Sequence, residues 1–458
     1  MKKDIKINLI YKLIHQFLIL VFPLIITPYA TRILKPTGIG IYSYYSSIVL
    51  YFTYIGMFGI NIYGNRIISK NRNNKNINKI FSNIYVIQLI LSLVMCLLYL
   101  IIIIISKYKI TSTIFLINII NCIFDINWYY YGREKFKTPI ILNTLNRLAT
   151  LILIFIFVKQ EKDLNVFILF KCSQDIVCNF ILYLLIINKF KIKTLNKKLI
   201  QNNIKKCIVL FIPIIASSIY QQMDKIMLGI IKTKQDVGFY ECATKLVVIT
   251  LGIITSILTI IHPRITYIVN KKESYKQLFN KTINFVMMLS IGIMFGMFSI
   301  IKQFVPIFFG KEYINTILLS NILCVTIPII SWSNSLRWLY FIPKEKDKIY
   351  LKSVLYGAII NLSLNLFLIV KYSSIGAAIA TVISEIIVAI YQTINLKINV
   401  KKIYFNILCY ILNGIIMLLI LVMINNIIIK VILGIIIYIL LNSIYLIINK
   451  KIINKKLN

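Results

Sequence analysis

The sequence predicts an all-α protein that crosses a membrane about fourteen times. Three observations carry that. Of 458 residues, 59% are hydrophobic, and the mean hydropathy is +0.84. A water-soluble chain of this size could not hide so much apolar side chain. Apolar runs long enough to cross about 30 Å of hydrocarbon, at roughly 20 residues each, recur almost end to end. No stretch alternates apolar and polar residues as a membrane barrel strand must.

The apolar segments cover about 8–31, 40–63, 81–106, 112–132, 138–158, 164–188, 205–231, 238–262, 282–301, 314–341, 350–370, 374–396, 403–425 and 427–449. Only Asn425 and Asn426 separate the last two before Lys430. Cytoplasmic loops carry an excess of Lys and Arg, which tests the map. With the amino-terminal MKKDIK placed in the cytoplasm, every inner segment carries more Lys and Arg than any outer loop. Both termini are then cytoplasmic. A missed span would scramble this alternation downstream of it. The first segment lacks a small-residue cleavage site and is long enough to stay as an anchor, so it is not expected to be a secretory signal peptide.

The net charge of +38 would suggest nucleic acid in a soluble protein. Here the chain is rich in Ile, Asn, Lys, Tyr and Phe, as an AT-rich genome would make it, and the placement of the charges says more than their number. No nucleic-acid partner is expected. The 8 cysteines lie in or beside apolar spans and form no CxxC pair. They suit small hydrophobes better than a zinc site or a disulfide framework. No loop exceeds about twenty residues, which leaves no room for a soluble catalytic domain. The expectation is a non-enzyme without cofactor or metal, acting inside the bilayer.

The long inner loop from Lys189 to Lys206 divides the chain, and the spans after it echo those before it. Pro23 and Pro28 precede GIY at Gly40–Tyr42; Pro213 precedes GFY at Gly238–Tyr240. One span ends WYYYGREK from Trp128, another WLYFIPKEK from Trp338. Six spans separate the matching elements, and an even number preserves orientation, so the repeat is parallel. The expected organisation is a six-helix lobe over 1–188, a cytoplasmic linker over 189–204, a second six-helix lobe over 205–396, and two extra helices with a basic tail over 397–458. Pro23, Pro28, Pro213 and Pro328 can kink their spans, although proline is common in membrane helices anyway.

Ionisable residues inside spans are costly and face a bundle interior or a wet cavity. The bases are Lys12, Arg147, Lys171, Lys225, Lys245 and Arg337; the acids are Asp125, Asp175, Asp224, Glu241 and Glu385. Arg147, Asp175 and Glu385 lie near the middle of their spans and cannot easily reach water. Lys12, Glu241 and Arg337 lie close to span ends and can snorkel to the interface, as long polar side chains do. Lys171 with Asp175, and Glu241 with Lys245, are four residues apart on one helix face, so each pair can neutralise itself or serve a ligand. Asp224 and Lys225 are adjacent and point about 100° apart, so they cannot simply face each other. Asp224 can pair across to Lys245, leaving Lys225 for a cavity. His15, one turn after Lys12, suits a satisfied core position or a proton-responsive one. Excess buried positive charge, centred on Arg147, suits an anionic substrate such as a phosphate. Isolated carboxylates, Asp125, Asp175, Asp224 and Glu385, suit cation or proton coupling, or structure alone.

Five stretches resemble one family. They are RILKPTGIGIYSYYSSIVLYFTYIGMFGINIYGNRIISK (Arg32–Lys70), INWYYYGREKFK (Ile126–Lys137), QQMDKIMLGIIKTKQDVGFYECATKL (Gln221–Leu246), FFGKEY (Phe308–Tyr313) and IGAAIATVISE (Ile375–Glu385). They look like the Wzx-type polysaccharide-biosynthesis flippases of the multidrug/oligosaccharidyl-lipid/polysaccharide exporter superfamily, and cover most of the chain in order. The first stretch, with its Gly-x-Gly-x-Tyr turn and YGNR, is the most specific. Lys35 departs from the pattern, since members often carry Gly before that Pro. The last two spans show no diagnostic motif.

The resemblance implies a flippase that moves an undecaprenyl-diphosphate-linked oligosaccharide from the cytoplasmic to the outer face of a bacterial inner membrane, by alternating access, for O-antigen, capsule or another surface polysaccharide. Such a headgroup cannot cross hydrocarbon unaided, because each polar group would lose its hydrogen bonds. A cationic cavity with Arg147, Lys171, Lys225 and Lys245 could hold the diphosphate by charge-assisted bonds, while the tail stays in membrane lipid. Glycosyltransferases and a polysaccharide polymerase are the implied partners. Alternatives are a cation-coupled drug or metabolite exporter of the same fold, a peptidoglycan-precursor flippase, or a membrane polymerase or ligase. The short outer loops, none with His, argue against the last.

Overall fold

The computed structural model describes residues 2–72, 74, 76–189 and 195–455. Side chains of residues 2–20, 189, 220, 272, 273, 446 and 448–455 lie outside that description, which therefore excludes the side chains of Lys12 and His15. Among the described residues there is no strand. The helices are α1 (Lys2–Met57), α2 (Ile60–Lys70), α3 (Ile77–Ile105), α4 (Lys109–Phe124), α5 (Asn127–Gly132), α6 (Lys137–Phe157), α7 (Leu164–Leu184) and α8 (Lys197–Ile231). They continue as α9 (Lys234–Ile268), α10 (Lys272–Phe308), α11 (Asn315–Cys324), α12 (Thr326–Leu336), α13 (Asp347–Ile394), α14 (Lys401–Val422) and α15 (Ile427–Lys455).

Twelve helical stretches among the described residues are long and apolar enough to cross a membrane. Leu97, Ile104 and Ile105 are 67%, 73% and 76% exposed. Surfaces of that kind are stable against lipid, not water. The protein is a multi-pass membrane protein. Two of the stretches, Val21–Lys70 and Asp347–Ile394, run 50 and 48 residues. Roughly 20 residues suffice for one crossing. The first is broken at Lys35 (φ 57°, ψ 176°) and again at Phe58 and Gly59 (φ 44° and 73°), the second at Ser373 (φ 51°, ψ −133°). The sequence predicts short loops at 32–39 and 371–373; the structure makes both turns with a single non-helical residue and resumes the helix at once. Pro36 follows Lys35 and pushes it out of the helical region. Pro23 and Pro28 lie inside α1 without displacing its backbone from helical angles.

The contacts divide the chain into two compact units. The first holds 1–229 and 233–238, the second 230–232 and 239–458. In the first, α4 packs on α3 and α7, α6 on α7, and α1 on α3, α4 and α6; α2 packs on α3 and α5. Ser47 Oγ donates to Gln222 Oε1 at 3.1 Å, Tyr51 OH to Ser218 O at 3.2 Å, and Tyr63 OH to Asn203 Oδ1 at 2.8 Å. Numbers rise along α1 and α2 as they fall along α8, so α8 lies antiparallel to them.

The turn after α8 meets α1 at two glycines. A Cβ on Gly40 would strike Lys234 O, and one on Gly238 would strike Pro36 O. The contact is reciprocal, and only glycine allows backbones this close. In the second unit α10 packs on α11, α12, α14 and α15, while α13 packs on α11 and α12.

The two Trp-containing corners end in one backbone motif. Lys135 N–H bonds Tyr130 O at 2.9 Å and Glu134 N–H bonds Tyr131 O at 3.0 Å. Lys346 N–H bonds Phe341 O at 2.8 Å and Glu345 N–H bonds Ile342 O at 3.0 Å. Glu134 and Glu345 both sit at φ 56°. This is the Schellman ending, with Glu where glycine is usual. The motif matches Tyr130 to Phe341, so Trp128 and Trp338 are out of register by one. The extra residue lies in a π-helical turn, Arg337–Phe341, which α5 lacks.

Candidate functional site

The first unit holds the central cation. Arg147 lies midway along α6 and is half-buried; its Nε is buried without a hydrogen-bond partner. A guanidinium nitrogen left so is costly unless an acceptor arrives. Asn146 Nδ2, beside it, donates to Gln174 O and ties α6 to α7. Arg147, Asp175 and Asp125 all lie within electrostatic reach of Cys178. Lys171 is half-buried and Asp175 exposed, one turn apart on α7.

Asp224 and Lys225 point differently, as adjacent helical residues must. Asp224 is buried and lies close enough to the Tyr51 hydroxyl to act on it electrostatically. Lys225, half-buried, donates from Nζ to Gln222 Oε1 at 3.3 Å, the oxygen that also accepts from Ser47. The ammonium is thus joined to α1 through one amide.

In the second unit Glu241 is buried and holds Lys245, four residues on, at 3.5 Å. Arg337 opens the π-helical turn and stacks over the rings of Tyr350, at 4.5 Å, and Trp338, at 5.2 Å. Its Nε is buried without a hydrogen-bond partner. A π-turn frees carbonyls, and neighbours use two of them: His262 Nδ1 meets Trp338 O at 2.9 Å, and Tyr275 OH donates to Leu339 O at 2.9 Å. Glu385 is buried and lies within electrostatic reach of Tyr350. A cavity of about 440 Å³ between α10, α12, α13 and α14 is lined by Met287, Met294, Pro328, Trp332 and Ile390 among others, none charged. It can take hydrocarbon, not a phosphate.

Arg147, Asp125 and Asp175 thus come together in one unit, and Arg337, Tyr350 and Glu385 in the other. A search of the sequence for charge inside spans passes over His262, Trp338 and Tyr350. It also passes over Asn121, Asn127 and Asn179, which join α4, α5 and α7 in one hydrogen-bonded chain. Asparagine repeated within apolar spans is the available signal.

The model of a family described as polysaccharide biosynthesis protein matches residues 5–269. A protein of Shigella dysenteriae named "Putative O-antigen transporter" is 26% identical over 396 residues, 84% of this chain and 97% of its own. A protein of the same name from Escherichia coli (strain K12) is 25% identical over 402 residues, 84% of this chain and 94% of its own. Among solved structures, the lipid II flippase MurJ in an inward closed conformation superposes with a TM-score of 0.76 at 17% identity, covering 96% of this chain and 98% of MurJ. An inward-facing multidrug resistance MATE family transporter of the MOP superfamily gives 0.62 at 12% identity, covering 90% and 98%. The helices therefore have the fold that MurJ and MATE transporters share.

Proposed function

Because the chain belongs to the polysaccharide biosynthesis protein family, we propose that it is a flippase for polyprenyl-diphosphate-linked oligosaccharides, moving them from the cytoplasmic to the outer face of a bacterial inner membrane. The names of its two bacterial relatives support that direction of work, and so does the flippase among its structural neighbours. We read the stretches broken at Lys35 and Ser373 as two crossings each, which makes fourteen spans and puts both termini on one side, and we take that side as cytoplasmic and the spans as two six-helix lobes and a final pair.

One observation carries the anionic substrate: Arg147 Nε, midway along α6, is buried with no acceptor. In the bilayer interior a cation in that position awaits an anion. A diphosphate supplies charged oxygens at no desolvation cost to the partner already buried. Lys171 and Lys225, in the same unit as Arg147, are the further cations of the proposed grip. Rigid-body exchange between inward- and outward-open states turns the headgroup over, while the prenyl tail stays in hydrocarbon.

The test uses the purified protein in liposomes carrying a fluorescent polyprenyl-diphosphate oligosaccharide on the inner leaflet. A glycosidase added outside reads translocation. Wild type is expected to expose inner-leaflet substrate. Arg147→Gln, which loses a charge-assisted bond of roughly 2 kcal/mol, should bind about 30-fold more weakly. Translocation at the wild-type rate by a folded Arg147→Gln protein would sink the assignment.

A further inference from the structure

We infer that the corner between α4 and α5 is a binding site for a monovalent alkali cation, formed by Asp125, Asn127, Asn179 and Asn121. Asp125 Oδ1 accepts from Asn127 Nδ2 at 2.7 Å and from Asn127 N–H at 3.2 Å. Asn127 Nδ2 gives its other hydrogen to Asn179 Oδ1 at 2.9 Å, and Asn179 Nδ2 donates to Asn121 Oδ1 at 2.9 Å. Asn127 Nδ2 thus spends both hydrogens, one on Asp125 Oδ1 and one on Asn179 Oδ1. That fixes the amide, and leaves Asn127 Oδ1 buried with no hydrogen bond. A buried acceptor without a donor costs about 1–3 kcal/mol.

Three features ask for positive charge here. Asp125 is the carboxylate of the group; Asn127 and Asn61 bond it, and the charged side chain that acts on it, Asp175, has like sign and cannot neutralise it. Asp125 is also the residue that ends α4, a helix of 16 residues. The carbonyl end of a helix carries about half a negative charge. Third, the orphaned atom is an oxygen, and oxygens of carboxylate and amide are the ligands of hard cations. The lone carboxylate among the four residues balances one positive charge, which selects a monovalent ion over Ca²⁺ or Mg²⁺.

The corner is mechanically connected. Gln88 Nε2 donates to Asp125 O at 2.8 Å and to Cys122 O at 2.6 Å, while Gln88 Oε1 accepts from Trp128 Nε1 at 2.9 Å. An ion held at Asp125 and Asn127 fixes α5 against α4 and, through Asn179, against α7. The indole of Trp128 stands two hydrogen bonds away as an internal reporter.

The experiment uses the full chain in nanodiscs. Two of its 3 tryptophans, Trp332 and Trp338, are changed to Phe so that Trp128 alone emits. NaCl, LiCl and KCl are titrated against choline chloride at constant ionic strength and pH. A saturable change in emission with at least one alkali ion is expected. Asp125→Asn, which keeps the shape and removes the charge, should weaken that ion at least 10-fold, and Asn127→Ala should also weaken it. Thermal unfolding of the unmodified protein in the same salts is the parallel readout, since an ion that binds only the folded state raises the midpoint. Identical behaviour in choline and in all three alkali salts would overturn the inference. So would an undiminished response in Asp125→Asn. A response to pH alone would make the corner a protonation site and refute the cation. The assay contains no lipid-linked sugar, so its outcome is independent of the transport reading.

Discussion

Replacing Lys35 by glycine should stabilise this protein, although it deletes an ion pair. Lys35 sits at φ 57°, ψ 176° in the break of α1. A side chain held at positive φ costs on the order of 1–3 kcal/mol, and glycine relieves it. Two losses oppose that gain. Lys35 Nζ lies 3.3 Å from Glu161 Oε2, but the two side chains are 46% and 49% exposed. A pair so wet contributes about 0–1 kcal/mol. Glycine also frees the unfolded chain, at roughly 0.5–1 kcal/mol. Taking the middle of each range, Lys35→Gly gains about 1 kcal/mol. Lys35→Ala is the control, because it loses the ion pair and keeps the strain. Thermal midpoints in one detergent should rank Gly above wild type and wild type at or above Ala. A Lys35→Gly protein no more stable than Lys35→Ala would refute the reasoning, since relieved strain could not then exceed the unfolded-chain entropy that glycine adds.

Glu345 offers the same test at φ 56°; Glu345→Gly should raise the midpoint by about 1 kcal/mol of stability. Glu134→Gly should gain less at the equivalent corner, because Glu134 also pairs with Arg72. Midpoints of both variants in one detergent decide the order. Gly64→Ala should lose about 1–3 kcal/mol by overpacking, because its Cβ would overlap the Trp128 ring. If Gly64→Ala unfolds at the wild-type midpoint, the α2–α5 contact has more room than the overlap allows.

Composition and the period of charge determined the class of this protein. An apolar run of bilayer length has one stable fate, a helix in lipid, because no other segment satisfies its own backbone there. That is why the run from 81 to 106 and the helix Ile77–Ile105 nearly coincide. The Gly-x-Gly-x-Tyr and YGNR stretch likewise pointed to the family that the comparisons show. Pairing within one helix was legible too, as Glu241 and Lys245 illustrate, since four residues always return to the same face.

What needed tertiary structure was everything set by an approach between distant segments. Gly40 looked like part of a turn motif, and only the fold shows that it admits the backbone of Lys234. Trp128 and Trp338 matched by letter, yet one extra residue in a π-turn shifts them apart, and spacing along a chain does not record how a helix winds. Arg147 was conspicuous as a charge at mid-span, but its unmatched Nε is a fact about neighbours. Asn127 was inconspicuous, because an amide has no charge to betray it. Its orientation is imposed by Asp125 on one side and Asn179 on the other, 52 residues further along the chain. Local sequence sets what each segment must be in lipid; which oxygens are left facing one another is decided only when the segments pack.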